Sequence, residues 1–461
     1  MQFIKLTKGT DAIKIFNNFG FFKLSTESGG EPELEATPSL VYTLSSDGTY
    51  YIVGTGFTSI EAIEADTSGG TNGSGLDSTW AGGQLVIPAE HNGLPVKAIA
   101  PKAFNAVKNI TEMYIYDGIT NIGHTAFQCL EADGFDTTMK ACRLPETLTS
   151  LGGTTSAGAG RVFWGRQGLK VINLPESIVY FPYATFYRIV ANSFIMNKPV
   201  PVNQYCFASS QINSGTIKIE LDSRNDLQQC FYTLNSNMDY KTSELDVIVS
   251  QNPNYSNNNP KMKYLFAGSH LRKVLFDSSI KELNGQYEAN YKNMFTSANI
   301  QEVEFQLEKW QDINNPEAFG VFSGQSFVID RMRFPNITVF NNFRIYYVTA
   351  QKPKKTFFGA SSCVLNHSGE SYMSPECFIK ANYIDNYSQA TNWTSYFANS
   401  GSEETIMRVY GDYLSGDALP TQIGTNQVYN VTWYEDDDFT TPAGITATAN
   451  KEYYGKISAV V

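Results

Sequence analysis

A phrase of about 23 residues recurs along this chain, and each copy joins one phenylalanine to a ladder of apolar residues. Phenylalanines return at this interval from Phe104 to Phe127 and again from Phe163 to Phe186. One full copy contains Phe163, Leu169, Ile172, Leu174, Pro175, Ile178 and Phe181. Self-similarity at a period of about 20–50 residues is typical of solenoids, in which each unit buries its apolar face against the next. The repeat therefore predicts one long array with a shared core.

The spacing inside the ladder predicts what one unit contains. Apolar residues two apart, such as Ile172 and Leu174, fit a short strand with one buried face. Pro175 follows directly, and because proline cannot donate a hydrogen bond to a neighbouring strand, it ends the strand. The residues before each phenylalanine, such as Lys102 and Ala103, predict a short helical or 3₁₀ turn. Each unit is then a strand, a turn and a short arc.

Three stretches of the chain resemble the BspA-like leucine-rich repeats of gut and oral bacteria, which also occur in phages and some protozoa. The first is an opening block at residues 47–54, 85–88 and 92–96, the second is the repeats, and the third is the closing block IDNYSQATNW at residues 384–393. The likeness covers about residues 42–400. It implies a mainly β, curved leucine-rich-repeat solenoid with short strands and turns. It says little about function, because the family binds many different ligands.

The pattern divides the chain into four parts, with Trp393 closing the array. They are an N-terminal segment that caps or attaches (1–40), the start of the array (41–100), the BspA-like repeats (101–399) and a small C-terminal β module (405–461). Within the last part, the stretch VTWYEDDDFTTPAGITATANKEYYGKI resembles the end of a Listeria–Bacteroides (internalin B-type) repeat.

The repeat is not uniform along the array. Insertions at residues 131–140, 152–160 and 252–260 stretch it, and insertions in solenoids usually form loops on one face. Between residues 187 and 262 the ladder is faint, with candidate strands at Ile217, Ile219 and Leu221 and at Val247 and Val249. Functional elaboration and ordinary drift both explain this degenerate middle.

Composition excludes several classes of partner. The net charge of −11, from 34 basic and 45 acidic residues, argues against nucleic acid, whose ligands usually carry a basic field. No apolar run approaches the roughly 18 residues that a membrane helix requires, so no membrane insertion is expected. Lys352, Lys354 and Lys355 form a basic cluster expected in a solvated loop. The 27 tyrosines either line a binding surface or fill a β framework.

No motif predicts a catalytic residue, a metal site or a cofactor. Phosphate loops, nucleophile elbows and metalloprotease helices are all missing from the sequence. His124 and His270 are expected to be hydrogen-bonded surface side chains in turns. The acidic run from Glu435 to Asp438 lacks the spacing of a calcium loop and is expected to be a solvated hairpin turn.

Six cysteines are present, and an even number suggests disulfides in some proteins. Here Cys206, Cys230 and Cys377 directly precede a repeat phenylalanine, and Cys129 follows one by two residues. These are small buried positions, where cysteine acts as a compact hydrophobe. Cys142 and Cys363 complete the set, and we expect all six to be reduced, buried thiols.

Two function hypotheses follow. The first is a non-catalytic structural or recognition protein: a phage virion component (tail, fibre or head decoration), or alternatively a bacterial surface adhesin. Its partners would be other virion proteins, a host surface protein or glycan, or further copies of the chain. The virion setting is preferred because residues 1–22 contain no continuous apolar signal region. The sequence does not identify which face binds.

The remote alternative is a polysaccharide-acting enzyme. Carboxylates held roughly 5–9.5 Å apart can cleave glycosidic bonds. The candidate residues lie in the degenerate middle and are Asp222, Arg224, Asp226 and Glu244. We expect them to be isolated, solvated side chains.

The two ends of the chain predict a division of roles. Residues 1–40 carry more apolar residues than so short a segment can bury alone, namely Phe16, Phe19, Phe21 and Phe22. This predicts N-terminal attachment to an assembly. The acidic run predicts that the C-terminal module is a separate soluble tip.

Overall fold

The computed structural model describes residues 7–8, 11–12, 34–66, 74–129, 141–153, 160–222, 226–255, 261–284, 293–311, 327–341, 353–366, 375–390, 393–397 and 406–460. The chain forms two compact units, Met1–Glu35 and Ala36–Val461. In the first, strands Thr7–Lys8 and Asp11–Ala12 pair antiparallel. The four phenylalanines of the predicted attachment segment lie outside the described residues, so N-terminal attachment stays a prediction.

The second unit is built on one long sheet, here called the main sheet. Its parallel strands are Gly83–Ile87, Ile110–Ile115, Ala141–Arg143, Leu169–Leu174, Val190–Met196, Gln211–Leu221, Glu244–Gln251, His270–Phe276, Asn299–Phe305, Val328–Phe334, Lys355–Phe358, Glu376–Lys380 and Ile406–Tyr413. Each pairs in parallel with the next. A short strand, Val200–Pro201, also pairs with Gln211–Leu221. The prediction of a mainly β leucine-rich-repeat solenoid is confirmed.

Two smaller sheets collect short strands that follow the main-sheet strands or open the array. The first contains Tyr42–Leu44, Tyr51–Val53, Glu90–His91, Leu94–Ile99, Asn121–Ile122 and Ser150–Leu151. The second contains Glu282–Asn284, Lys309–Gln311, Val339–Asn341 and Val364–Asn366, all parallel. The helices of the described residues are short: Ile60–Ala65, Ile384–Ser388 and Thr394–Phe397, with 3₁₀ turns at Tyr240–Thr242 and Ala381–Tyr383.

Strands end where the sequence predicts. Ile172 and Leu174 are buried while Asn173 between them is exposed, and the strand stops before Pro175. Asp277 takes the proline position in another repeat, and its carboxylate accepts a hydrogen bond from the Ser279 amide at 2.9 Å. An Asp side chain that closes a turn in this way also ends a strand.

The repeat phenylalanines form a continuous ring stack through the core. Neighbouring rings are stacked with centroids 5.1–5.7 Å apart, in the order Phe104, Phe127, Phe163, Phe186, Phe207, Phe231, Phe266 and Phe295. The spacing follows that of the strands, because each repeat supplies one ring. The stack runs unbroken through residues 187–262, and both candidate strands there are confirmed. The degenerate middle is therefore structurally regular.

The segments around each stacked ring are turns rather than the predicted helical or 3₁₀ segments. The residue two positions before every ring has a left-handed backbone, with φ between 54° and 60°. Such a conformation costs a non-glycine residue roughly 1–2 kcal/mol. It lets the turns form their own hydrogen-bond ladder: the Phe186 amide donates to Cys206 O, and the Phe207 amide donates to Cys230 O, both at 2.9 Å. The ladder explains why helical turns do not form.

The C-terminal residues are not a separate tip. Strand Ile406–Tyr413 pairs in parallel with Glu376–Lys380 of the main sheet. It also pairs antiparallel with Lys451–Ala459, which pairs with Tyr429–Tyr434 and so connects to Gln422–Ile423. The expectation of a separate soluble tip is wrong, because the first strand of this region extends the sheet of the array.

The loop at residues 435–441, here called the clamp, folds back over the main sheet. Asp437 is 1% exposed and accepts two hydrogen bonds from Arg331, at 2.6 and 2.7 Å. Phe439 packs against Phe378, whose ring stacks on Phe357. The acidic run is therefore not a solvated hairpin turn, because its central carboxylate completes an ion pair on the sheet.

The clamp also corrects the prediction for the basic cluster. Lys355 is buried and donates to the Asp437 carbonyl oxygen at 2.7 Å, whereas Lys354 is exposed and pairs with Asp330 at 2.7 Å. Lys352 lies outside the described residues. A lysine expected in a solvated loop is thus buried beneath the clamp.

Trp393 and five of the six cysteines are buried as predicted, whereas the prediction of burial is wrong for Cys142. All six cysteines are free, and all but the half-buried Cys142 are buried. Burial raises the pKa of the Cys363 thiol to about 12. Trp393 is fully buried, donates from its indole nitrogen to Cys363 O at 2.8 Å and packs edge-on against Phe358.

Candidate functional site

The repeat turns align a set of aromatic side chains along one edge of the array. They lie between three residues before and one residue after a stacked phenylalanine. We call them the aromatic strip: Trp164, Tyr183, Tyr187, Tyr205, Tyr232 and Tyr264. Tyr232 is 38% exposed and the other five are half-buried. Because every repeat adds its turn to the same edge, residues far apart in sequence share one surface.

Ring contacts hold much of the strip in place. Trp164 and Tyr187 meet edge to face at 4.9 Å, and Tyr205 meets Tyr183 at 5.6 Å and Tyr187 at 6.4 Å between centroids. Partial burial and the neighbouring phenols of Tyr183, Tyr187 and Tyr232 raise the pKa of Tyr205. The Tyr205 hydroxyl donates to the Gln229 side chain. Edge-to-face rings with a fixed hydroxyl form a pre-organised contact surface.

Cationic side chains lie over these rings. The Arg161 guanidinium carbon is 5.0 Å from the Trp164 centroid and 5.3 Å from that of Tyr183. The Lys263 ammonium lies 5.3 Å from the Tyr264 centroid. Distances within about 6 Å allow cation–π attraction. The strip therefore combines flat aromatic faces with positive charge.

Arg188 joins the strip to a polar pocket. Its guanidinium carbon is 5.5 Å from the Tyr187 centroid, and its side chain also lines the pocket. The pocket has a volume of about 350 Å³, and its other lining residues are Gln167, Val190, Ser209, Ser210, Gln211, Thr233, Asn235, Ser236 and Asn237. Hydroxyl and amide groups dominate this lining.

Buried Asn235 fixes one wall of the pocket. Its amide nitrogen donates to Ile212 O at 2.7 Å, and its oxygen accepts from the Ile212 amide at 2.6 Å. The hydroxyls of Ser209 and Thr233 lie 3.1 Å apart at the exposed rim. The pocket can therefore offer hydrogen bonds from several preset directions.

The predicted enzyme residues do not converge on this site. Asp222 follows the end of strand Gln211–Leu221, whereas Glu244 begins the next strand, opposite Ser214. At a rise of about 3.3 Å per residue, the two carboxylates are roughly 26 Å apart. That is well beyond the roughly 9.5 Å limit for paired glycosidase carboxylates. Asp226 pairs with Lys261 at 3.6 Å. Arg224 lies outside the described residues.

His124 and His270 are hydrogen-bonded, and neither belongs to a metal-binding group within the described residues. His124 is hydrogen-bonded as predicted, but it is buried rather than at the surface, with Nε2 3.0 Å from Asp66 Oδ2. His270 Nδ1 lies 2.6 Å from Met238 O and the ring is half-buried. Among the described residues, no group of three or more His, Cys, Asp or Glu side chains could hold a metal ion. Nor does this part of the chain contain a helix long and apolar enough to span a membrane.

The strip lies within the part of the chain that matches a known family. Residues 91–152, 135–248 and 160–294 match the BspA type leucine rich repeat region in six copies. Residues 91–294 are therefore similar to leucine-rich repeats of the BspA type. The family match ends at residue 294, so the internalin B-type resemblance and a phage origin stay predictions.

Comparisons with whole proteins add little detail. A leucine-rich repeat protein from Bacteroides ovatus, known from a crystal structure, shares 11% identity over 81% of this chain and 99% of that one, with a TM-score of 0.29. No curated protein gives a significant match. The fold assignment rests on the family match and on the observed strand pairing.

The sequence-based predictions named no binding surface and missed the strip. The signal was available, because the repeats can be aligned on their phenylalanines. Reading the positions just before and after each ring gathers the strip aromatics together with Arg161, Arg188 and Lys263. The decisive property, that these columns share one edge, follows from the turn ladder.

Proposed function

We propose that this protein is a non-catalytic recognition protein that binds a host-surface glycan through the aromatic strip and the polar pocket. The observation that carries the proposal is that Arg188 belongs to both surfaces. It lies over the ring of Tyr187 in the aromatic strip and also lines the polar pocket. Tyrosine and tryptophan offer rigid faces at a low cost in conformational entropy. The pocket adds hydroxyl and amide groups, which suit a ligand rich in hydroxyls.

The setting we propose is a phage virion, as part of a tail, a fibre or the head decoration. Its support is the sequence resemblance, since BspA-like repeats occur in phages as well as in bacteria. A bacterial cell surface is the second setting, because an adhesin would use the same recognition edge. Mass spectrometry of purified virions and of cell-surface fractions separates the two: peptides of this chain should be found in virions, and their presence only in the surface fraction would contradict this setting.

Binding to a panel of bacterial envelopes tests the recognition proposal. Replacing both Tyr187 and Tyr232 by alanine should weaken binding by at least about tenfold, since such aromatic residues dominate contact energies. The matched control is Tyr116→Ala. Tyr116 is half-buried and directly follows strand Ile110–Ile115, whereas the strip residues lie in turns that precede main-sheet strands. Equal binding by the double variant and the wild type would contradict the proposal.

Leucine-rich repeats commonly bind proteins, so a host-surface protein is the second ligand class. Treating the envelopes with periodate, which cleaves vicinal diols of sugars, should abolish binding. Protease treatment should leave it intact. The reverse pattern would show that the strip recognises a protein.

A further inference from the structure

Two cations of the strip have no acidic partner among the described residues. Arg161 lies between the rings of Trp164 and Tyr183, and Lys263 lies over Tyr264, yet neither forms an ion pair. The Arg161 Nε is buried, and none of the described residues accepts a hydrogen bond from it. The described residues therefore give these cations no carboxylate partner, although the whole chain has 45 acidic residues and a net charge of −11.

A second arginine on an aromatic ring shows the usual arrangement in this protein. The Arg143 guanidinium carbon lies 5.7 Å from the Tyr116 centroid, and the same side chain pairs with Asp117 at 3.6 Å. Both arginines lie over aromatic rings, but within the described ranges only Arg143 is paired with a carboxylate. The difference points to a carboxylate that a ligand would supply to Arg161.

The geometry around Arg161 favours a planar anion. A guanidinium between two rings keeps its orientation, and its fork of donors matches the two oxygens of a carboxylate. The net negative charge of the chain repels a long polyanion that extends over the surface. At about 0.15 M salt this repulsion is screened beyond about 8 Å, so a short anion beside Arg161 interacts mainly with the local positive charge. Short acidic ligands fit this balance better than nucleic acid.

We propose that the ligand is an acidic glycan, a sugar chain bearing carboxylates such as those of uronic or sialic acids. Arg161 binds one carboxylate, and Lys263 provides a second positive position further along the strip. The aromatic faces contact the sugar rings, and the polar pocket receives hydroxyls. This inference rests on the proposed glycan-binding function and specifies its ligand class.

The experiment uses the full chain on an array of carboxylate-bearing oligosaccharides of uronic and sialic acids. Each is printed beside its carboxyl-reduced counterpart, in which the acid has become an alcohol. We expect reduction to weaken binding by about tenfold, the lower range for a charge-assisted hydrogen bond. Arg161→Gln should produce the same loss on the acidic sugar and no further loss on the reduced one.

Arg143→Gln is the matched control and should leave both affinities unchanged, with all variants checked for wild-type melting temperatures. Equal binding of acidic and reduced sugars would overturn the acidic inference while glycan recognition stands. Binding confined to phosphorylated sugars would also overturn it. Spots of single-stranded DNA are included, and comparable binding to them would identify a nucleic acid ligand instead. No signal from any sugar would overturn both the inference and the glycan-binding function.

Discussion

Positive charges are used differently on the main sheet and on the turn edge. In the main-sheet strands from His270 to Tyr413, every Arg and Lys pairs with a carboxylate: Arg272 with Asp246, Lys273 with Glu302, Arg331 with Asp437, Arg333 with Glu452, Lys355 with Asp438, Lys380 with Asp412 and Arg408 with Glu376. On the turn edge, Arg161 and Lys263 lie on aromatic rings instead. These strands use their charges to join one another and the clamp, whereas we propose that the charge on the turn edge is available to a ligand.

The largest expected effect is a loss of folding stability, and it tests whether the aromatic strip contributes less to stability than the phenylalanine stack beside it. Phe266→Ala removes a fully buried ring of the stack and should lower the free energy of unfolding by about 3–5 kcal/mol. Tyr264→Ala, two residues earlier in the same turn, removes a half-buried strip ring and should cost less than about 1 kcal/mol. Urea unfolding of both variants measures the difference. Similar losses would mean that the strip is structural.

A smaller effect on the free energy of unfolding is expected when an arginine in an ion pair, Arg331, is compared with Arg161, which has no carboxylate partner among the described residues. Arg331→Met leaves the buried Asp437 carboxylate with Lys355 as its remaining cation, and should lower the free energy of unfolding by about 2 kcal/mol. Arg161→Met leaves no carboxylate behind, and its side chain can still cover the rings. Its expected change is within about 0.5 kcal/mol, the usual range away from such features. Chemical denaturation at neutral pH measures both, and a comparable loss for Arg161→Met would contradict the comparison.

The smallest expected effect is on the dependence of folding stability on pH in the acidic range. Burial alone would raise the pKa of Asp437, but hydrogen bonds and charge from Arg331, together with Lys355, hold that pKa below its ordinary value. Because the folded-state pKa is depressed, this contribution to stability is present above the unfolded pKa of about 4 and is lost as the pH falls through the folded pKa.

Asp437→Asn should therefore reduce the slope of stability against pH below about pH 4. The slope is proportional to the number of protons taken up on unfolding, and the loss of one carboxyl group changes that number by at most about one. Melting curves between neutral pH and about pH 2 measure this slope for the wild type and the variant. Arg161→Met serves as the control and should keep the wild-type slope. An unchanged slope in Asp437→Asn would show that the clamp pair does not titrate with unfolding.

The contrast between the two regions is also a contrast in predictability. Phe163, Ile172 and Leu174 are spaced by local strand geometry and by the repeat period, so the stack and the main sheet could be predicted. The buried cysteines followed from the same repeat, whereas the closing position of Trp393 followed from the family resemblance of residues 384–393. The left-handed turns could not be predicted as easily, because the residues at these positions share no side-chain type. They include a small residue, Ala184, and a large aromatic one, Tyr264. Their conformation is stabilised by hydrogen bonds to the next repeat, which act at long range in sequence.

The sequence by itself determined the repeat period, the mainly β solenoid, the strand ends and the buried positions of the core. These depend on residues within one repeat and on the next repeat stacking in register. Only the tertiary structure decided the rest. The strip aromatics share one edge, and Arg143 has a carboxylate partner where the described residues offer none to Arg161. Asp437 lies buried against Arg331, 106 residues away in sequence. Ion pairs and ring contacts between distant segments depend on where the turns place each side chain, and a period in sequence does not specify that placement.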